Sequence, residues 1–208
     1  MTNLKKISEI IKDKSKQTGK SIEDLSGQLE DVYRRFIPAR FFSAEIDKMN
    51  KEIQNFIFNF DRILSGCNGL YLYGECGTGK TYAFYAMQKV AIANELKFKI
   101  FNATTLLNKI RSGFNKNSEN DNFLEEISEM GGILAIDDIG SEKLTDWVGE
   151  TFYSIINTRY ERMLPTFFSS NLSLPELAEK MGDRIASRIA EMCQIIKLSG
   201  KDLRICQK

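Results

Sequence analysis

The sequence predicts a three-layer α/β domain with a five-stranded parallel sheet, preceded by short N-terminal helices. Two observations predict this fold. Short apolar runs that are typical of buried strands alternate with segments of helical periodicity, and such alternation favours a parallel sheet covered by helices on both faces. The composition, with 42% hydrophobic and 27% charged residues over 208 positions, is that of an ordinary folded protein.

Two short helices are predicted at the N-terminus. Apolar residues recur at helical spacing from Ile7 onwards, and this pattern breaks near Thr18. Ser21 is placed to cap a second helix, which Pro38 either ends or follows. These helices could simply pack against the rest of the protein, or they could form a separate module that docks another protein.

A third helix is predicted to be capped by Ser43 and to extend to Phe60. We place the boundary between two domains just before it. Residues 1–42 are then an N-terminal helical extension and linker, and residues 43–208 are the main α/β domain.

Strands and helices alternate through the main domain. The predicted strands are 70–73, 98–101, 133–136, 166–169 and 195–198. The predicted helices are 81–96, 103–111, 123–130, 145–163, 175–180 and 183–193.

A glycine-rich segment lies between the first of these strands and its helix. Its residues are Gly74, Glu75, Cys76, Gly77, Thr78, Gly79, Lys80 and Thr81. They fit the G-x-x-x-x-G-K-[ST] pattern of a phosphate-binding loop in the strand-to-helix context that the pattern requires. Glycines let backbone N–H groups curl around phosphates, Lys80 would reach the terminal phosphates, and the Thr81 hydroxyl would bind Mg²⁺. We therefore predict that this loop binds ATP and Mg²⁺.

Polar residues follow two other predicted strands. Asp137 and Asp138 end an apolar run, and a buried strand rarely ends in two carboxylates unless a cation or ligand takes up their charge. We predict that Asp137 belongs to the Mg²⁺ shell and that Asp138 orients or deprotonates the attacking water. Asn171, on a strand between the two motif strands, is predicted to reach the γ-phosphate or that water.

Cysteine content and charge argue against other classes of protein. The chain has four cysteines, none in a C-x-x-C pair, and no histidine, so we expect no zinc site. The net charge of +1 gives no global attraction to nucleic acid. No stretch approaches the roughly 20 apolar residues that span a bilayer. We expect no membrane association, and cysteines in reduced form fit a cytoplasmic protein.

Several further segments, in this order and spacing, carry a resemblance to a known family. Besides the phosphate loop, they are Ile37-Pro38-Ala39-Arg40-Phe41, Ile136-Asp137-Asp138-Ile139-Gly140, Thr145-Asp146-Trp147, Ile155-Ile156-Asn157-Thr158-Arg159-Tyr160, Ser170-Asn171-Leu172 and Gly182-Asp183-Arg184-Ile185-Ala186-Ser187-Arg188-Ile189. The chain resembles the DnaC-type helicase loaders and the related IstB-type transposition ATPases, a branch of the AAA+ superfamily. The resemblance covers about residues 37–198.

This resemblance implies an ATPase whose nucleotide lies between subunits of an ATP-dependent ring or filament. Arg184 and Arg188 match the region that supplies an arginine to the neighbouring site, and they share a helix face because they are four residues apart. Either could be that arginine, with the other contacting the nucleotide or nearby side chains. The resemblance also implies a replicative DNA helicase as a partner.

Two features depart from the family pattern. Asp138 stands where most AAA+ members have glutamate, so we expect slow hydrolysis that DNA or a partner stimulates. The chain ends soon after its last predicted strand, so we expect no C-terminal helical lid domain.

Single-stranded DNA is the less well supported of the expected partners. Lys109, Arg111 and Lys116 flank a loop that contains Phe114. Basic residues beside an aromatic ring fit a single-strand contact, although a solvated helix face explains them equally well.

The preferred interpretation is a helicase loader acting in DNA replication. The alternatives are a transposition helper ATPase, a non-hydrolysing nucleotide-gated adaptor and a small-molecule kinase of the P-loop type. The kinase would need an acceptor pocket and a basic lid, and the sequence indicates neither.

Overall fold

The structure, a computed structural model, describes residues 5–59, 69–113, 123–200 and 202. The chain forms two compact units. The first consists of Met1–Asp61 and Thr81–Phe98, and the second of Arg62–Lys80 and Lys99–Lys208. The division into an extension and a main domain after residue 42 stays a prediction.

The first unit begins with the two predicted helices, α1 (Ile7–Thr18) and α2 (Ile22–Phe36). Helix α1 ends because Gly19 adopts a φ of 70°, a left-handed conformation that closes many helices. Ser21 caps α2, since its side-chain oxygen accepts the backbone N–H of Asp24 at 3.0 Å. Both predictions are confirmed.

The predicted third helix is wrong at its start. Ser43 caps no α-helix, and the chain instead forms a 3-10 turn at Ile46–Lys48 before α3 (Lys51–Phe58). Asn50 supplies the cap, because its side-chain oxygen accepts the backbone N–H of the third helical residue at 2.9 Å and its own backbone is extended. The predicted end at Phe60 lies outside the described residues.

Helix α4 (Lys80–Ala93) contributes most of its length to the first unit. The nearly buried Lys89 side chain donates a hydrogen bond to the Phe42 carbonyl and lies 4.9 Å from the Phe42 ring centroid. Phe41 stacks on Tyr85 with ring centroids 4.5 Å apart. Phe41 and Phe42 are therefore held against α4, and burial lowers the pKa of Lys89.

The second unit contains the sheet. The strands are β1 (Gly69–Tyr73), β2 (Phe98–Asn102), β3 (Ile133–Asp137), β4 (Thr166–Ser170) and β5 (Cys193–Lys197). Their order is β2-β3-β4-β1-β5, with β1 parallel to β4 and β5, and β3 parallel to β4. The predicted α/β fold with a five-stranded parallel sheet is confirmed, and β4 lies between the two strands that carry the motifs, as predicted.

Strand β5 begins two residues earlier than predicted, at Cys193 rather than Ile195. Cys193 pairs with Gly69 of β1, where a Cβ atom would lie 2.6 Å from the cysteine sulfur. Glycine at this position lets the buried thiol pack against the neighbouring strand. Burial raises the pKa of that thiol, which makes it a small apolar group rather than a reactive one.

Five further helices complete the described part of the second unit. They are α5 (Ala103–Gly113), α6 (Phe123–Glu129), α7 (Asp146–Glu161), α8 (Leu174–Met181) and α9 (Asp183–Met192). Helix α9 packs against α7, α8 and β1. One apolar core, which includes the fully buried Tyr71, Phe152 and Phe168, joins these helices to the sheet.

Arg159 of α7 is fully buried in this unit. Its guanidinium donates to Thr166 Oγ1 at 2.7 Å and to four backbone carbonyls, those of Ile127, Met130, Gly132 and Pro165, at 2.9 to 3.3 Å. All five N–H donors of the side chain are thereby used. They join α7 to the segments that lead into β3 and β4, and burial lowers the pKa of Arg159 to about 10.

None of the helices in the described ranges has the length and apolar character that crossing a membrane requires. Beyond β5, residues 198–200 and 202 form no helix. The expected absence of a C-terminal helical lid stays a prediction.

Candidate nucleotide-binding site

The loop after β1 follows a path that only glycine accommodates at several positions. Gly74, Gly77 and Gly79 have φ values of 149°, 81° and 93°, which side-chain-bearing residues rarely adopt. A Cβ atom on Gly74 would lie 2.0 Å from the Leu198 carbonyl oxygen, and one on Gly77 would lie 2.0 Å from Asp202 Oδ1. Gly74 therefore has no room for a side chain, because the clash is with backbone, whereas at Gly77 the Asp202 side chain would have to move.

Lys80 stands at the end of this loop, where α4 begins. It is 8% exposed, and its amine donates to the carbonyl oxygens of Gly74 at 2.7 Å and Glu75 at 2.8 Å. It also donates to Asn171 Oδ1 at 2.8 Å. The positive charge is thus held beside a helix N-terminus, the combination that favours a bound anion.

The ends of β3 and β4 are joined by hydroxyl groups that the sequence analysis missed. Ser169 Oγ donates to Asp137 Oδ1 and accepts the backbone N–H of Asp138 at 2.9 Å. Ser170 Oγ donates to the Ile139 carbonyl at 2.6 Å. Both serines are buried, and buried hydroxyls need partners. Two serines directly after the two phenylalanines of β4 are the signal that could have found them.

Asp138 has a φ of 62°, which is uncommon for a residue with a side chain. The cost of such a conformation is of order 1–3 kcal/mol, and it persists only where surrounding contacts hold it. Here the contact to Ser169 fixes the Asp138 backbone and leaves its carboxylate partly exposed.

Asn171 connects the loop to the β3 end. Its Oδ1 accepts from Lys80, and its Nδ2 donates to Asp138 Oδ1 at 3.4 Å. We call this set of contacts the Lys80–Asn171–Asp138 network. The structure therefore brings together residues from three separate sequence motifs, with Asp137 adjacent to them.

Glu142, which the sequence analysis also missed, shapes the turn after β3. Its Oε1 accepts the backbone N–H of Gly140 at 3.2 Å, and its other carboxylate oxygen is buried without a hydrogen-bond partner among the described residues. Lys180 donates to the Gly140 carbonyl from α8. The signal that could have identified Glu142 was an acidic residue only five positions after Asp137.

The residues present fit a nucleotide phosphate and Mg²⁺. The loop has no room for a Cβ atom at Gly74 and leads directly into the N-terminus of α4, as a phosphate cradle requires. Asp137 offers carboxylate oxygen, the ligand type that Mg²⁺ prefers. Thr81, the other predicted magnesium ligand, is the second residue of α4 and belongs to the first unit, and its role stays a prediction.

The two candidate arginines do not join this cluster within the chain. On α9, Arg184 and Arg188 make hydrogen bonds with Tyr153 and Asn157 of α7, and Arg188 also bonds to the Arg184 carbonyl. Among the described residues none of these bonds reaches the phosphate loop, Asp137 or Asp138. A role of either arginine in a neighbouring subunit stays a prediction.

The candidate DNA-contact residues lie only partly within the described chain. Arg111 lies over the Trp147 ring at 4.4 Å, and Lys109 lies 5.2 Å from the Phe101 ring centroid. Phe114 and Lys116 lie outside the described residues. Each of these two basic side chains therefore lies beside an aromatic ring, while the DNA contact itself stays a prediction.

A sequence profile of the bacterial DnaA ATPase domain matches residues 43–195. This chain belongs to the bacterial DnaA ATPase domain family. In sequence the chain is also similar to the replicative helicase loader DnaI of Bacillus subtilis, which is 34% identical over 172 residues that cover 75% of this chain and 53% of that protein. The chain thus spans about half the length of this relative.

Solved structures show that the family fold is shared. The crystal structure of the DnaC helicase loader has a TM-score of 0.65 at 24% identity and covers 78% of this chain and 100% of that one. The replication initiator DnaA bound to AMPPCP and single-stranded DNA has a TM-score of 0.67 at 17% identity, covering 80% and 52%. At these identities the likeness shows the fold alone.

Proposed function

We propose that this chain binds Mg²⁺ and ATP, hydrolyses ATP and acts in DNA replication as a loader of a replicative helicase. The observation that carries the ATPase assignment is the Lys80–Asn171–Asp138 network, since it joins a phosphate loop to a candidate general base. The helicase-loading role is supported by the 34% identity to a protein named as a replicative helicase loader.

Each residue of the site has a distinct role in this proposal. The loop amides and Lys80 bind the phosphates, and Thr81 and Asp137 hold Mg²⁺, which neutralises phosphate charge when bound. Asp138 orients or deprotonates the attacking water. Asn171 contacts both Lys80 and Asp138. Binding of the terminal phosphate to Lys80 would therefore affect the position of Asp138 through Asn171.

The site is completed by a second copy of the chain. Arg184 and Arg188 bond to α7 rather than to their own phosphate loop, which favours a contribution to a neighbour. An arginine supplied by a neighbour typically raises phosphoryl-transfer rates by about 10³–10⁵-fold. ATP-dependent self-association into a ring or filament follows from this arrangement.

Single-stranded DNA is the proposed stimulator of turnover. Arg111 and Lys109 each lie beside an aromatic ring, and a groove that holds single strands combines positive charge with stacking surfaces. A transposition helper would share these features, whereas a nucleotide-gated adaptor would bind ATP without releasing phosphate.

Affinity capture with purified proteins tests the partner. The chain is immobilised with ATP and offered the replicative helicase of its host or, separately, a transposase. We expect helicase retention that ATP promotes and that Lys80→Ala abolishes. Retention of the transposase alone would favour the transposition helper, and retention of neither would contradict the loader assignment.

A further inference from the structure

Tyr153 of α7 lies against both candidate arginines of α9. The guanidinium carbons of Arg184 and Arg188 lie 4.3 and 4.8 Å from its ring centroid. The Tyr153 hydroxyl oxygen accepts from Arg184 Nη2 at 2.7 Å and from Arg188 Nη2 at 3.0 Å. A single half-buried tyrosine therefore holds two like charges close together.

The charge of this pair is not neutralised within the described chain. Neither arginine forms an ion pair with a described carboxylate, and arginine does not lose its proton in proteins. Two cations four residues apart on a helix repel each other. The groups that hold them, a phenol and the Asn157 amide, are neutral, so the pair keeps its charge for an external anion.

The two arginines are held to different extents. Arg188 donates through Nε to Asn157 at 2.7 Å, through Nη1 to the Arg184 carbonyl at 3.0 Å, and through Nη2 to Tyr153. Arg184 is exposed and, of its five N–H groups, commits one to a described partner, Tyr153. Tyr153 is thus the contact that both arginines have in common.

We propose that Tyr153 is a positioning residue that holds Arg184 and Arg188 as a preorganised pair for the phosphates of a nucleotide bound by a second copy of the chain. The inference rests on the proposed shared site. A free arginine loses rotamer freedom when it docks, and this loss is avoided if the guanidinium is already held. Small errors in the position of a catalytic group can lower rates by about 10²-fold.

Substitutions at Tyr153 test whether this residue positions the two arginines or only contributes to folding. Tyr153→Leu removes the ring and the hydroxyl, and we expect phosphate release to fall about tenfold or more while ATP affinity and melting temperature stay near wild type. Tyr153→Phe keeps the ring and loses the shared acceptor, and we expect an intermediate rate. Ser154→Ala, at the adjacent exposed position of α7, is the matched control.

Mixing distinguishes action on a neighbour from action within one subunit. A Lys80→Ala subunit retains Tyr153 and both arginines, so adding it to Tyr153→Leu should restore part of the lost turnover. Loss without rescue, in verified assemblies, would overturn the role of Tyr153. If Tyr153→Leu does not fold, Tyr153→Phe decides the matter, and a wild-type rate for it would overturn the proposal.

The arginine variants separate this inference from the proposed function. If Arg184→Ala and Arg188→Ala both hydrolyse ATP like wild type, the shared site itself is wrong. If an arginine variant loses activity and Tyr153→Leu does not, the shared site stands and the positioning role of Tyr153 is overturned.

Discussion

Asn171 links Lys80 of the phosphate loop to Asp138 at the end of β3. It accepts from Lys80 and donates to Asp138, so Asn171→Ala breaks the link between the phosphate loop and the proposed base, Asp138. We expect single-turnover phosphate release to fall about 10²-fold, because Asp138 loses a fixed neighbour, while ATP affinity changes little since the loop amides remain. Asn59→Ala, an exposed position, should match wild type. Normal turnover in Asn171→Ala would show that the link is not needed.

Asp138 can be tested without disturbing the backbone. Its φ of 62° suits asparagine as well as aspartate, so Asp138→Asn should fold normally and remove only the carboxylate that we propose as the base. We expect ATP to bind with wild-type affinity and hydrolysis to fall by about 10²-fold or more, measured as single-turnover phosphate release. Asp31→Asn on the exposed face of α2 controls for the loss of one charge. Unchanged hydrolysis would remove Asp138 from the mechanism.

At the scale of elements, Arg159 fixes where β3 and β4 begin. Arg159→Met keeps much of the apolar stem but leaves the Thr166 hydroxyl and four carbonyls without this donor. We expect a loss of about 3 kcal/mol in the free energy of unfolding, or about 6–12 °C in melting temperature for a chain of this size.

Arg162→Met provides the matched control for Arg159. Arg162 forms an exposed ion pair with Glu129, and such pairs contribute roughly 1 kcal/mol or less. Scanning calorimetry of both variants compares them directly. Equal melting temperatures for the two would contradict the structural role of Arg159.

Which elements could be predicted depended on whether their signal was local. The strands, including the one before Asn171, were predicted from apolar runs, and the phosphate loop was predicted from the spacing of its glycines. The start of α3 was mispredicted, because Ser43 and Asn50 are both residue types that cap helices and only the structure places the cap at Asn50. Contacts such as Ser169 with Asp137 and Arg184 with Tyr153 join residues 32 and 31 positions apart, and no local pattern records them.

For the whole molecule, the shared site predicts rescue between two inactive variants. A Lys80→Ala subunit does not hold ATP but carries both arginines, and an Arg188→Ala subunit holds ATP but lacks one arginine. Mixed together, they should regain part of the lost turnover, because some interfaces pair an intact loop with intact arginines. The same experiment with Arg184→Ala identifies which arginine acts on the neighbour. Activity that is independent of protein concentration and never rescued would contradict a shared site.

The measurement that tests the central claim most directly is phosphate release from Mg²⁺-ATP by wild type and Lys80→Ala, with and without single-stranded DNA and the host's replicative helicase. Lys80 donates to the loop carbonyls and to Asn171, so its removal should disable phosphate binding and the network together. We predict slow release by wild type that DNA or helicase accelerates, and no release above background by Lys80→Ala. Equal release by both proteins, or ATP binding by wild type without release under every condition, would contradict the assignment of an ATPase.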